Sequence, residues 1–385
     1  MPLRLVALVL VFTIAASAQS PVAPGAEPER IASGFQFTEG PVWFEGTLLF
    51  SDIPANRVYR WDPESGQTET FLSPSQKSNG LALDADGNLL LAQHAAQRVA
   101  RLDGDVETAL AEAYEGDAFN SPNDLTLHPD GSIYFSDPTW GLEGRPSETG
   151  FTGVYRLDPD GTVDLLADDL HQPNGVAFSP DLATFYVSTS DERTVVAYDH
   201  ADGALSNGRV FATLTGGTPF DAADGMEVDG QGRLYVAGPR GVWIFAPDGT
   251  VLDVVDVPDQ TTNVAFGPDD TLYITSGPGV YRLSLVAGTT AGEAGPVRLG
   301  LTIETVAPNP SRGLTAVTIR LDRARAVGMD VVDALGRTVR TLDLGPLAAG
   351  EHRAEVDLGG LAPGVYTVRL EAGGQRVTRA VTVAR

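Results

Sequence analysis

Apolar and polar residues alternate in short runs along most of the chain, and no window sustains a 3.6-residue period. Such alternation marks half-buried strands. One run recurs in register: Glu39–Trp43, Asn79–Leu83, Asn123–Leu127, Asn174–Phe178, Asp224–Val228 and Thr262–Phe266. Most copies are followed by a Gly/Asp turn and a second strand, as in Asp84–Gly87 before Asn88–Ala92 and Pro129–Gly131 before Ser132–Ser136. A third strand comes next (Arg57–Arg60, Gly153–Arg156, Gly241–Ile244, Gly279–Arg282), then another turn and a fourth strand. Four short strands per unit, repeating every ~40–50 residues, is the pattern of propeller blades. The six copies between Glu27 and Leu285 predict an all-β fold, a six-bladed β-propeller. Arg30–Phe37 is expected to add a strand to the last blade and close the ring.

Beyond this repeat the pattern changes twice. At the start, Arg4, an apolar run from Leu5 to Ile14 and the small residues Ala16–Ala18 read as a signal peptide cut before Gln19. That run is too short to span a bilayer, and no later segment is long and apolar enough to do so. Near the other end, Ala287–Pro296 is small and Gly-rich, as linkers are. After it, regularly spaced strands with Gly/Pro turns predict a small C-terminal β-sandwich. The expected division is therefore signal peptide 1–18, propeller 19–286, linker 287–298 and sandwich 299–385. In the tail, Ala307–Gly313 with its Pro-Asn-Pro entry, Asp333–Val339 and the ending Leu361–Leu370 resemble the C-terminal sorting domain of the type IX secretion system. That resemblance implies the secretion machinery as a partner and a secreted or cell-surface location.

Composition narrows the chemistry. A formal net charge of −25 disfavours nucleic acid and anionic membrane as partners. The absence of cysteine removes disulfides, zinc–thiolate sites and thiol catalysis. No phosphate-cradling Gly-rich loop and no nucleophile-elbow motif are present. A monomer is expected.

Most Asp-Gly pairs, such as Asp160-Gly161, read as hairpin turns. The first position of each repeat is different, because inner strands of blades surround one axis. Glu39, Asn79, Asn123, Asn174, Asp224 and Thr262 form that ring, and each carries a side-chain oxygen. Carboxylates and amides without thiol or imidazole suit a hard cation, calcium before magnesium. The alternative is that these side chains cap strand ends through local hydrogen bonds, most readily at Asn79 and Thr262. His94 and His171 lie where they could reach the mouth of the axis, although a lone loop histidine is more often a surface residue. Trp140 reads either as a wall of that mouth or as core.

At these residues the chain resembles the senescence-marker/gluconolactonase/regucalcin-like calcium lactonases. The resemblance rests on Glu39–Trp43, Ser121–Leu125, Asp137–Leu142, Gln172–Phe178 and Asp224–Met226. It implies that Glu39, Asn123, Asn174 and Asp224 hold one calcium ion and that the substrate is a small lactone or ester. From their places in the repeats, Asn79, Ser121, Trp140, His94, His171 and Thr262 are expected around that substrate. Ser121 stands where members close to regucalcin have an arginine. Asp224, then Glu39, is the expected base for attack of water on the ester. Related phosphotriesterase propellers share the same ligand set, and a propeller that only binds a glycan or protein partner, with structural calcium, is the non-enzymatic alternative.

Overall fold

The structure is a computed structural model that describes residues 19–384, except 219–220, 290–300, 322–324, 333–336, 349 and 373–374. The expected signal peptide, most of the linker and residues 333–336 of the tail lie outside the described residues. Among the described residues the structure is all-β apart from one 3-10 turn at Trp140–Leu142.

Residues 29–284 form six four-stranded antiparallel sheets. Their first strands are Thr38–Phe44, Ser78–Leu83, Leu125–Leu127, Pro173–Phe178, Met226–Val228 and Thr261–Gly267. Each of the first five sheets runs in simple chain order from that strand outward. The sixth takes its outermost strand from the N-terminal side: Glu29–Ser33 pairs antiparallel with Gly279–Ser284. Just before it, Val286 N–H donates to Pro21 C=O at 2.7 Å and extends this pairing.

The second strand of each sheet is apolar on both faces because each sheet is covered on both sides. Leu48 and Phe50 enter an apolar cluster with Tyr273 and Val280 of the sixth sheet. Leu49, pointing the other way, packs with Leu81 and Leu91 of the second. The remaining neighbours share clusters in the same manner, from second-to-third through fifth-to-sixth. Burying one such leucine contributes about 1.5–3 kcal/mol, so every seam is held by several of them.

First strands of neighbouring sheets also touch one another directly. Gly80 N–H donates to Asn123 C=O at 2.7 Å, and Gly225 N–H donates to Thr262 C=O at 2.8 Å. This approach explains the glycine at the second position of four repeats. A Cβ on Gly40 would lie 2.2 Å from Asn79 O, and one on Gly175 would lie 2.5 Å from Asp224 O. These glycines are there for closeness between strands.

The C-terminal residues make two further sheets, one of three strands (Leu301–Ala307, Leu314–Leu321, Gly350–Asp357) and one of four (Thr338–Leu347, Arg325–Val332, Gly364–Ala372, Gln375–Val383). Alternate residues from both, including Val317, Ile319, Met329, Val331, Val368 and Leu370, bury one apolar core. Neither core nor sheets draw on residues before 299.

Replacing Gly175 by Ala forces a backbone shift between two first strands, for which a loss of about 1–3 kcal/mol in urea-unfolding free energy is expected. An unchanged midpoint would show that the strands are not packed this closely.

Candidate active site

Where the six first strands meet, pairing with the second strand is irregular at the level of the ring. Register shifts occur between Glu39 and Val42, Ser78 and Leu81, Pro173 and Val176, and Thr261 and Asn263. In the third and fifth sheets the first strand starts later, at Leu125 and Met226, so Asn123 and Asp224 precede it. Bulges re-aim side chains, and here they release consecutive residues from strict in–out alternation.

Glu39, Asn79, Asn123, Asn174 and Asp224 are all buried at this level. Glu39 Oε2 accepts from Gly40 N–H at 2.9 Å. Burial holds its carboxyl well above the ordinary range, and the nearby Asp224 charge adds to the rise. Asp224 is pushed up to about 8 by burial and then by the Asp124 charge, while a hydrogen bond from the Asn174 amide opposes the shift. The Asn174 amide also donates to Ser190 Oγ at 3.0 Å. Among the described residues neither Glu39 nor Asp224 forms an ion pair, and Asp224 Oδ1 is buried with no hydrogen-bond partner.

Two site residues have no counterpart in the expected ring. Asp124 is buried, accepts from Val176 N–H at 3.2 Å through Oδ2, and is raised to about 7 by burial. The Asn263 amide lies near the carboxyls of both Glu39 and Asp124 and opposes the rise of each. Both occupy the second position of their repeats, where the other four have glycine, and that exception was the available signal. Asp124 and Asn263 also line a cavity of about 160 Å³ along the first strands, together with Thr126 and Glu227. Burial raises Glu227 to about 8.

The remaining expected site residues separate by what their polar atoms already do. Thr262 Oγ donates to Thr38 C=O at 2.8 Å and lies 2.9 Å from Thr275 Oγ, so it ties the sixth sheet to the first. Ser121 Oγ donates to Pro138 C=O at 2.5 Å and accepts from Gly141 N–H at 3.0 Å, so it pins the loop that carries Trp140. Trp140 itself is 53% exposed, whereas His171 is exposed and His94 is buried. Asn79 faces His94, with Nδ2 and Nε2 3.4 Å apart, and Asn79 Oδ1 is buried without a partner.

Among the described residues no three His, Asp or Glu side chains are grouped closely enough to hold a metal. The donor set is instead two carboxylates with amide oxygens. Two buried acids that raise each other's proton affinity, with a carboxylate oxygen left unpaired, fit a hard divalent cation.

The raised acids predict how the cation-free protein responds to pH. Their folded pKa values lie above the ordinary carboxylate range, so between pH 6.5 and 8 the folded state holds protons that the unfolded state has lost. Stability of chelator-treated protein should therefore fall as pH rises through this window, by on the order of 1 kcal/mol per pH unit per proton retained. Saturating calcium should flatten the slope, because a cation replaces the protons of its ligands. Thermal unfolding across this window with and without calcium measures both, and identical slopes would contradict a cation at these acids.

Comparison with known proteins supplies the lineage. A gluconolactonase of Zymomonas mobilis is 36% identical over 286 residues, spanning 66% of this chain and 80% of its own length. The solved gluconolactonase of Xanthomonas campestris is 35% identical, covers 71% of this chain and 94% of its own, and superposes with a TM-score of 0.66. A calcium-binding protein, regucalcin, from Agrobacterium tumefaciens shares the fold at 24% identity and a TM-score of 0.58, covering 70% of this chain and 96% of its own. Residues 305–384 match the secretion system C-terminal sorting domain, and the chain ends in that domain. Residues 37–278 match the SMP-30/Gluconolactonase/LRE-like region, and the chain belongs to that family.

Proposed function

We propose that the chain is a secreted, calcium-dependent lactonase that hydrolyses small cyclic esters. In this reading the six sheets are the blades of a propeller over residues 19–286. Residues 287–298 link it to a β-sandwich, 299–385, which directs the protein through type IX secretion to the medium or cell surface. Glu39, Asn123, Asn174 and Asp224 hold one calcium ion. The carrying observation is the buried Glu39–Asp224 pair, which has no cationic side chain beside it and one oxygen unpaired. Lactonases among the relatives support the ester substrate.

The chain's own residues divide the work. A bound cation supplies Lewis-acid polarisation of the ester carbonyl. The Asp224 carboxylate, through an oxygen not used to hold the ion, takes a proton from water as the water oxygen bonds the carbonyl carbon. The same carboxyl returns that proton to the ring oxygen as the ester C–O bond breaks, which releases a hydroxy acid. Asn174 and Ser190 hold the position of this base, and Gly40 and Asn263 hold Glu39. Asn79 Oδ1 accepts from a substrate hydroxyl, Trp140 offers an exposed aromatic face at the rim, and His171 is exposed as well. Ser121 and Thr262 contribute through the loop and the seam that their hydroxyls hold.

The test is a hydrolysis screen of aldonolactones, aliphatic lactones and aryl phosphotriesters, with chelator and with calcium restored. Lactone hydrolysis that is lost on chelation and regained with calcium is expected. Glu39→Gln and Asp224→Asn should each lower kcat/KM by roughly a hundredfold or more, while Asp160→Asn, in an exposed turn, stays near wild type. Preference for phosphotriesters, or equal losses in all three variants, would overturn the assignment.

A further inference from the structure

His94 is one of five histidines and the one whose ring is buried next to the oxygen ring. It follows the strand Leu89–Gln93, and its backbone is held from three sides. His94 N–H donates to Lys77 C=O at 3.2 Å, and its C=O accepts from Gln97 N–H at 3.4 Å and Arg145 Nη2 at 3.0 Å. Arg145 also donates to Gly141 C=O, Leu142 C=O, Ala95 C=O and Gln97 Oε1, so the 141–145 loop and the 94–97 turn move as one piece. Lys77 and Glu143 add an ion pair across the same junction.

The imidazole has little freedom inside this clasp. A Cβ at position 141 would lie 2.5 Å from His94 Cγ and 2.6 Å from Nδ1, so the glycine backbone closes directly over the ring. The opposite edge presents Nε2 to Asn79 Nδ2 at 3.4 Å. An amide nitrogen only donates, so Nε2 must be the acceptor, and a neutral imidazole then carries its proton on Nδ1. Burial favours the neutral ring, lowering its pKa to about 4.

We infer that His94 is a positioning residue: its Nε2 takes an N–H of Asn79 and so commits Asn79 Oδ1 to the substrate side. Oδ1 is the atom left without a partner in the fold. An amide turned over by half a rotation would present a donor there, the wrong polarity for a substrate hydroxyl proton. Gly141 and Arg145 matter to this function through His94, although neither reaches the ring of oxygens.

The kinetic side of this inference rests on the lactonase reading, and the spectroscopic side does not. Long-range 15N–1H spectra of the calcium-loaded full chain should show His94 with protonated Nδ1 and unprotonated Nε2 at neutral pH; the reverse tautomer overturns the inference whatever the activity. With an aldonolactone as substrate, His94→Leu should raise KM about tenfold at nearly constant kcat, because a group used in binding is mispositioned. His94→Gln, which keeps an acceptor at similar reach, should restore most of KM, and thermal unfolding separates this from loss of fold. Adding His94→Leu to Asn79→Leu should cost nothing further, as expected of a residue acting only through its partner. A Gln variant as impaired as Leu but equally stable, or multiplicative losses in the double variant, would contradict the inference. A chain that hydrolyses no lactone while showing protonated Nδ1 would refute the lactonase reading and support the His94–Asn79 contact.

Discussion

Glu39 and Asp224 lie 185 positions apart in sequence, and the fold buries them together without a positive side chain among the described residues. Left alone, the pair must keep a proton or bear an unpaired charge away from water, and either state costs stability. A divalent cation removes both costs at once, because it needs anionic and amide oxygens and supplies the missing charge. The rest of the inner architecture is arranged around this constraint. The Gly40 N–H holds Glu39, and the amides of Asn263 and Asn174 favour the charged forms of Glu39 and Asp224. Asp124 sits just beneath as a further buried acid.

Holding six first strands around so small a site requires two local departures from regular sheet. The register shifts turn consecutive residues toward the axis, and the glycines let neighbouring strands approach to backbone contact. Apolar seams between sheets provide the rigidity, so that side chains at the ring are placed by the scaffold and not by flexible loops. The rim is different in kind. There the Asp137–Arg145 segment is tied down by Ser121, Gln172 and Arg145, and it carries the exposed Trp140. Variation in substrate among relatives is most readily accommodated at such a loop.

Much of this was legible from the repeat alone. Six aligned runs located the first strands, and Glu39, Asn79, Asn123, Asn174 and Asp224 were read as one ring because their repeats align. The N-terminal strand of the sixth sheet followed from the residues left before Glu39. What escaped was decided by the bulges. Strict alternation turns only one of two adjacent residues to a given face, so the repeat pattern does not point to Asp124 or Asn263 and does point to Thr262, whose hydroxyl is taken up within the fold. The hydroxyls of Ser121 and Thr262 are oxygen donors in sequence but are occupied in space, which only partners hundreds of residues or one loop away can reveal. Trp140, open in sequence between wall and core, stands exposed because its turn is pinned by its neighbours while Leu142 takes the buried place.

The central claim is that a hard divalent cation sits between Glu39 and Asp224. Metal analysis of the purified full-length protein by inductively coupled plasma mass spectrometry, paired with the Glu39→Gln/Asp224→Asn double variant, tests it most directly. One calcium per chain is expected in the native protein, and none retained in the double variant. Zinc in place of calcium, or calcium content unchanged by the two substitutions, would contradict it.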